Sequence, residues 1–170
     1  MKKINIIRFV CIGGMLTAFT VLFQSAPVFL PALGLALSPF STLPIAIAAV
    51  SNILLGFTVY FASVTILTLV SMQESMILLF TTGLLGLMIG ALLYRKKILL
   101  STIFSSIALS LGIVVLTYIV SMSAFTDFAS SLSIPFTLVI FFSFSLVYSS
   151  IWNVCLRKLI GYLMKIKMIL

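Results

Sequence analysis

Ionisable side chains suited to catalysis are almost missing from this 170-residue chain, which has no histidine and only two acidic residues. The two acids, Glu74 and Asp127, lie in separate polar stretches, SMQES and AFTDFASSLS. General acid–base or nucleophilic catalysis needs a base that titrates near neutral pH or a paired set of ionisable groups. Because no such set can be assembled here, we predict that the protein is not an enzyme.

Metal, redox and nucleotide chemistry also lack their usual residues. The only two cysteines, Cys11 and Cys155, lie near opposite ends of the chain, so we expect neither a metal site nor a disulfide. The sequence contains no Gly-x-x-x-x-Gly-Lys-Ser/Thr phosphate-binding loop and should not hydrolyse ATP by itself. We therefore expect no cofactor.

Hydrophobic residues make up 63% of the chain and charged residues 7%, which is typical of a polytopic membrane protein. The ten cations fall in three clusters: one at the N-terminus, one at Arg95 to Lys97, and one in the last fourteen residues. Lys and Arg concentrate in short cytoplasmic loops next to membrane spans. The clusters therefore indicate membrane topology, with the lipid bilayer as a partner, and we do not expect nucleic acid binding.

Six apolar segments are long enough to be membrane spans. They cover about residues 4–24, 36–51, 54–70, 76–94, 98–121 and 135–156. An even number of spans then separates the cationic clusters, so all three clusters and both termini are predicted to be cytoplasmic, with Glu74 and Asp127 outside. The sequence predicts a single all-α domain over residues 1–170, a multi-pass protein of the cytoplasmic (inner) membrane. A cleaved signal peptide ending near Ala26 is an alternative for the first segment.

Residues 25–42, SAPVFLPALGLALSPFST, combine an apolar composition with Pro27, Pro31, Gly34 and Pro39. Prolines and glycine at these positions predict an interrupted, irregular backbone. Because unpaired backbone groups cannot face lipid, we expect this segment to form a lid that lies over the bundle or dips into it.

Small residues recur at four-residue spacing on two of the predicted helices. Thr82, Gly86 and Gly90 form a ladder on the fourth span, a pattern that indicates close helix packing. Gly14 and Ala18 form a small-x-x-x-small pair on the first span. That pair is compatible either with ordinary packing inside the bundle or with a docking face for a partner.

The predicted outward-facing segments bring several polar side chains to one side of the membrane. Together they could line a small-molecule pocket beneath the lid, since such sites are mostly apolar with a few placed polar groups. The candidate ligand-binding residues are Gln24, Ser41, Thr42, Gln73, Glu74, Thr126 and Asp127. Taken singly, each of these residues is more typical of a solvated loop than of a binding site, and the two acids stand out only because they are the sole acidic side chains.

The chain length, the six predicted spans, the long apolar segment after the first span, and Gly14 and Ala18 on that span together resemble one known family. This is the S component, the substrate-binding membrane subunit of energy-coupling factor (ECF) vitamin transporters. The resemblance implies that the protein captures a vitamin or related small nutrient from outside. It also implies that the protein topples against a coupling membrane subunit, driven by two cytoplasmic ATPases. Gly14 and Ala18 would dock the coupling subunit, and Glu74 and Asp127 would lie beside the ligand.

The run from Ser38 to Lys97, which includes SPFSTLPIAIAAV and TTGLLGLMIGALLYRKK, is also similar to the YybS-like membrane proteins of Gram-positive bacteria. Those proteins resemble S components in architecture, so this similarity implies the same fold but does not imply vitamin binding. Two other functions stay open at this point. One is a non-transport membrane scaffold or assembly protein, and the other is a permease that acts alone.

Overall fold

The computed structural model of the protein describes residues 6–93, 98–120 and 134–165. Within these ranges every regular element is a helix. The elements are α1 (Ile6–Phe29), α2 (Pro31–Leu37), a 3₁₀ helix (Ser38–Ser41), α3 (Thr42–Ser51), α4 (Ile53–Val70), α5 (Met72–Ile77), a π-helical turn (Leu78–Thr82), α6 (Gly83–Leu92), α7 (Ile98–Tyr118) and α8 (Ile134–Lys165).

In the described part of the chain, six helical stretches are long and apolar enough to cross a membrane. They are Ile6–Phe29, Pro31–Ser51, Ile53–Val70, Met72–Leu92, Ile98–Tyr118 and Pro135–Tyr162. Two of them are composite: α2, the 3₁₀ helix and α3 form the second stretch, and α5, the π-helical turn and α6 form the fourth. The prediction of an all-α, multi-pass membrane protein is confirmed.

Single polar residues separate α3 from α4 and α4 from α5. Asn52 has an extended backbone, and its Oδ1 accepts a hydrogen bond of 2.9 Å from the Leu54 N–H, which caps the start of α4. Ser71 is also extended, and its Oγ accepts a longer hydrogen bond of 3.4 Å from the Glu74 N–H at the start of α5. Each cap therefore begins a new helix with a single residue between it and the end of the previous one.

The prediction of an irregular lid over residues 25–42 is wrong, because this segment is helical apart from Leu30. Proline is tolerated at the first position of a helix, where its missing N–H would have no partner in any case. Pro31 begins α2 and Pro39 lies in the first turn of the 3₁₀ helix. Pro27 lies in the last turn of α1, so little of that helix follows it.

α2 folds back onto the end of α1 with its backbone in close contact. A Cβ atom on Gly34 would overlap the backbone of Ala26 and Pro27, so only glycine fits this position. The second membrane-length stretch consequently starts at Pro31, ahead of the predicted start at residue 36.

α6 is packed tightly against α3 through two glycines. A Cβ on Gly86 would lie 2.7 Å from the carbonyl oxygen of Thr42, and one on Gly90 would lie 2.6 Å from that of Ala46. These distances are shorter than a van der Waals contact, so the two helices meet backbone to backbone, as small residues in membrane helices allow.

Two groups of buried apolar side chains surround this contact. The first joins α3, α6, α7 and α8, and the second joins α3 and α4 to the π-helical turn and α6. The first consists of Ala46, Leu85, Ile89, Leu93, Leu109, Ile113, Phe141, Trp152, Leu156 and Ile160. The second consists of Ile45, Ala48, Leu55, Val59, Tyr60, Leu67, Leu78 and Leu87.

Candidate functional site

Four polar side chains from four helical segments meet in one buried group, which we call the Gln24 network. Gln24 of α1 is 0% exposed and Glu74 of α5 is 9% exposed. The Gln24 Nε2 donates to Glu74 Oε2 at 2.8 Å. Ser41 Oγ, from the 3₁₀ helix, and Thr82 Oγ1, from the π-helical turn, donate to Gln24 Oε1 at 2.7 Å and 3.0 Å.

The chemistry of these groups determines the orientation of the Gln24 amide. A carboxylate oxygen accepts hydrogen bonds, so the amide nitrogen must face Glu74. The amide oxygen then faces Ser41 and Thr82, whose hydroxyls can rotate to donate. Both lone pairs of this oxygen are used, whereas Glu74 Oε1 makes no hydrogen bond to any described residue. One acceptor atom of the network is thus available to another molecule.

Glu74 lies in the membrane-length stretch Met72–Leu92, where an ionisable side chain is rare. Such residues are expensive to bury, face the bundle interior and usually mark a substrate or ion site. Next to it, the Ser75 and Thr68 hydroxyls are hydrogen-bonded to each other at 2.9 Å and join α5 to α4. The helix that carries the Glu74 carboxylate is therefore hydrogen-bonded to α4 through Ser75 and to α1 through Glu74.

The other predicted ligand-binding residues do not join this network. Thr42 is buried, but its hydroxyl donates to the Pro39 carbonyl oxygen at 2.7 Å, which is a local helix contact. Gln73 is exposed and faces away from its neighbour Glu74. Thr126 and Asp127 lie outside the described residues.

The predicted packing residues on α6 and docking residues on α1 have different surroundings. Gly86 and Gly90 pack against α3, whereas Thr82 bonds to Gln24 and so belongs to the candidate site. Gly14 and Ala18 are both exposed, and no atom lies within 4 Å of a Cβ built on Gly14. This pair makes no close helix contact within the described part of the chain.

A second polar cluster, which the sequence pattern did not predict, joins α7 and α8. The Asn153 Nδ2 donates to Ser101 Oγ at 2.9 Å and to Thr102 Oγ1 at 3.1 Å. Arg157 Nε donates to Asn153 Oδ1 at 3.1 Å. An asparagine four residues before an arginine on a largely apolar helix was the available signal.

Two cavities in the described part of the chain lie apart from the Gln24 network. One cavity of about 250 Å³ adjoins the turn between α3 and α4 near Asn52 and Gly90, and one of about 400 Å³ lies between α7 and α8 near Thr102 and Ser150. Neither includes a network residue. Within residues 6–93, 98–120 and 134–165, no three Cys, His, Asp or Glu side chains come together.

Comparison with known proteins adds no family to this description. No protein-family model, curated protein or solved structure matches the chain. Any functional conclusion therefore depends on the chemistry of the Gln24 network itself.

Proposed function

We propose that the protein binds a small nutrient such as a vitamin at the Gln24 network, as the substrate-capturing S component of an ECF-type importer in the cytoplasmic membrane. The observation that carries the proposal is the convergence of Gln24, Ser41 and Glu74. These residues come from three separate helical segments, and their polar atoms lie within 2.8 Å of a partner in the network. Three of the seven predicted ligand-binding residues thus belong to one hydrogen-bonded network.

The donors and acceptors of the network favour a particular class of solute. Glu74 offers a carboxylate that is shielded from water, and a carboxylate prefers a positively charged or N–H donor group. The Gln24 amide now occupies one oxygen of that carboxylate. A ligand with an amine, amidine or amide group would donate to Glu74 Oε1 or take the place of the Gln24 N–H at Glu74 Oε2. In both cases the buried Glu74 carboxylate keeps a hydrogen-bond donor.

The position of the network along the helices supports entry from the outer side. Gln24 lies five residues before the end of α1, or about 8 Å along its axis. Glu74 is the third residue of the stretch Met72–Leu92. Under the predicted topology both helix ends face outside, so a solute would reach the network without crossing the membrane.

Transport would need other subunits, because the chain has no ATP-binding loop. The exposed pair Gly14 and Ala18 on α1 suits close contact with a helix of the coupling membrane subunit, since glycine and alanine allow two backbones to approach. α1 is also the least buried of the six membrane-length stretches, with 11% of its apolar window buried against 56% for Met72–Leu92. Cytoplasmic ATPases would act through that coupling subunit.

Native mass spectrometry of the protein, purified in mild detergent from its own host, tests the proposal. The expected result is one retained small molecule per chain, and the control variant Gln73→Ala should retain it as well. Glu74→Gln should lose the molecule or bind it with an affinity about 10- to 150-fold lower, which corresponds to a charge-assisted hydrogen bond of about 1.5–3 kcal/mol. A bare chain that co-purifies with another membrane protein would instead identify a scaffold. Solute movement in liposomes without nucleotide would identify a permease that acts alone.

A further inference from the structure

A π-helical turn, Leu78–Thr82, follows Glu74 and ends at Thr82, the two residues of the fourth stretch that contact Gln24. The Gly83 N–H bonds to the Leu78 carbonyl oxygen, five residues earlier. Such turns are rare, occur mostly as single turns within α-helices and are frequent at functional sites. Glu74 precedes this one and Thr82 ends it, so the turn sets the relative direction of the two side chains.

The rotation along the helix shows what the turn does. In a regular α-helix, with about 100° per residue, Glu74 and Thr82 would face directions about 80° apart. A π-helix turns through only about 82° per residue, so four residues of it bring the two directions to within about 10°. Both side chains can then reach the same amide, as their hydrogen bonds to Gln24 show.

Tyr60 of α4 lies across the π-helical turn. Its side chain is 6% exposed, and its hydroxyl donates to the Leu79 carbonyl oxygen at 2.6 Å. Its ring packs on Gly83, where a Cβ would lie 2.8 Å from the ring edge. On α7, Gly112 packs directly onto the carbonyl group of Phe80. The turn is thus contacted from two neighbouring helices.

We infer that Tyr60 is a positioning residue for the Gln24 network. Its hydroxyl holds the π-helical turn, and the turn keeps Glu74 and Thr82 on one face. Without this hydrogen bond the segment relaxes towards a regular α-helix, and Thr82 rotates away from Gln24. The inference rests on the proposed function only in taking the Gln24 network as the binding site, and its test needs no ligand.

Side-chain amide NMR gives a direct measurement, because the chain has only two glutamines, Gln24 and Gln73. Protein labelled with ¹⁵N-glutamine in detergent micelles should show a slowly exchanging, buried Gln24 NH₂ and a rapidly exchanging Gln73 NH₂ as internal reference. Tyr60→Phe should accelerate Gln24 exchange by about tenfold or more, as expected when a buried hydrogen bond is lost. Tyr118→Phe, which alters a 44% exposed tyrosine at the end of α7, should change neither signal.

Two further variants separate positioning from general stabilisation. In the nearly isosteric Thr82→Val background, Tyr60→Phe should add no further acceleration, because Thr82 no longer bonds to Gln24. Deletion of Leu79 makes the segment a continuous α-helix in which Glu74 and Thr82, now seven positions apart, stay within about 20° of each other. Tyr60→Phe should then be silent in that background too.

The inference is overturned if Tyr60→Phe leaves Gln24 exchange unchanged, or if it accelerates exchange equally in the Thr82→Val background. Either result would mean that the hydroxyl does not act through Thr82. If the protein shows the predicted exchange pattern but retains no small molecule, the role of Tyr60 is supported and the proposed function is refuted. The two conclusions therefore fail in different experiments.

Discussion

Replacing Gln24 by methionine is the most informative test of the buried network. Methionine has a similar length and no hydrogen-bonding amide, so it keeps the packing of α1 and removes the bonds to Glu74, Ser41 and Thr82 together. The two hydroxyls can turn to carbonyl groups of their own helices. The Glu74 carboxylate, at 9% exposure, loses the only side-chain partner described for it.

The size of the effect depends on Glu74, because its buried carboxylate has no alternative donor among the described residues, whereas the two hydroxyls have alternative acceptors. Leaving a buried acceptor without a donor costs about 1–3 kcal/mol, whereas removing both partners can be nearly neutral. In membranes the coupling between polar side chains is smaller, averaging about 0.6 kcal/mol with a maximum near 1.7, because the unfolded reference state also finds partners. We expect Gln24→Met to lower the free energy of unfolding by about 2 kcal/mol. We expect a coupling of about 1–1.7 kcal/mol with Glu74→Met, near the upper end of that range because the pair includes a carboxylate.

A double-mutant cycle compares the unaltered protein, Gln24→Met, Glu74→Met and the variant with both changes. Reversible unfolding in mixed micelles, followed by circular dichroism, gives the free energy of unfolding of each. The double variant Gln24→Met/Glu74→Met should be clearly more stable than the sum of the single effects predicts. Additivity within about 0.4 kcal/mol, the usual result for independent sites, would refute the reasoning. It would mean that the 2.8 Å contact between Gln24 and Glu74 contributes nothing to the folded state.

Three further predictions concern packing, docking and topology. Gly86→Ala should lower the free energy of unfolding by about 1–3 kcal/mol, since the added Cβ would meet the backbone of α3. The control Gly161→Ala should be neutral or slightly stabilising, because its added Cβ would meet no atom within 4 Å. Gly14→Leu should abolish co-purification of a coupling subunit without changing the unfolding transition or ligand retention, and an unchanged yield of the complex would exclude this face. With both native cysteines replaced, a cysteine at Ser71 should react with a membrane-impermeant maleimide from outside intact cells and one at Asn52 should not; the reverse pattern would invalidate the predicted topology.

The membrane class and the number of spans could be predicted because they depend on local composition. A stretch of about twenty apolar residues is a candidate span whatever it packs against. The irregular lid was a wrong prediction for a related reason. Prolines usually break helices, but Pro31 and Pro39 lie at helix starts, where proline is compatible with the geometry.

The candidate site was predicted only in outline. Charge distribution placed Gln24, Ser41 and Glu74 on one side of the membrane, and these three do meet. Which residues would join them depended on side-chain direction, which the predicted sidedness does not specify. Gln73 is adjacent to Glu74 in sequence yet points outward, whereas Thr82, predicted only as a packing residue, points to Gln24.

By itself, the sequence determined a helical membrane protein with six membrane-length segments, because hydropathy and composition act locally. Tertiary structure alone decided that the segment Leu78–Thr82 is π-helical. Nothing in LLFTT distinguishes a π-helical turn from an α-helical one. The contacts with Tyr60 on α4 and Gly112 on α7 make that difference, and they bring together residues distant in sequence. The alignment of Glu74 and Thr82 on Gln24 is consequently a property of the packed bundle.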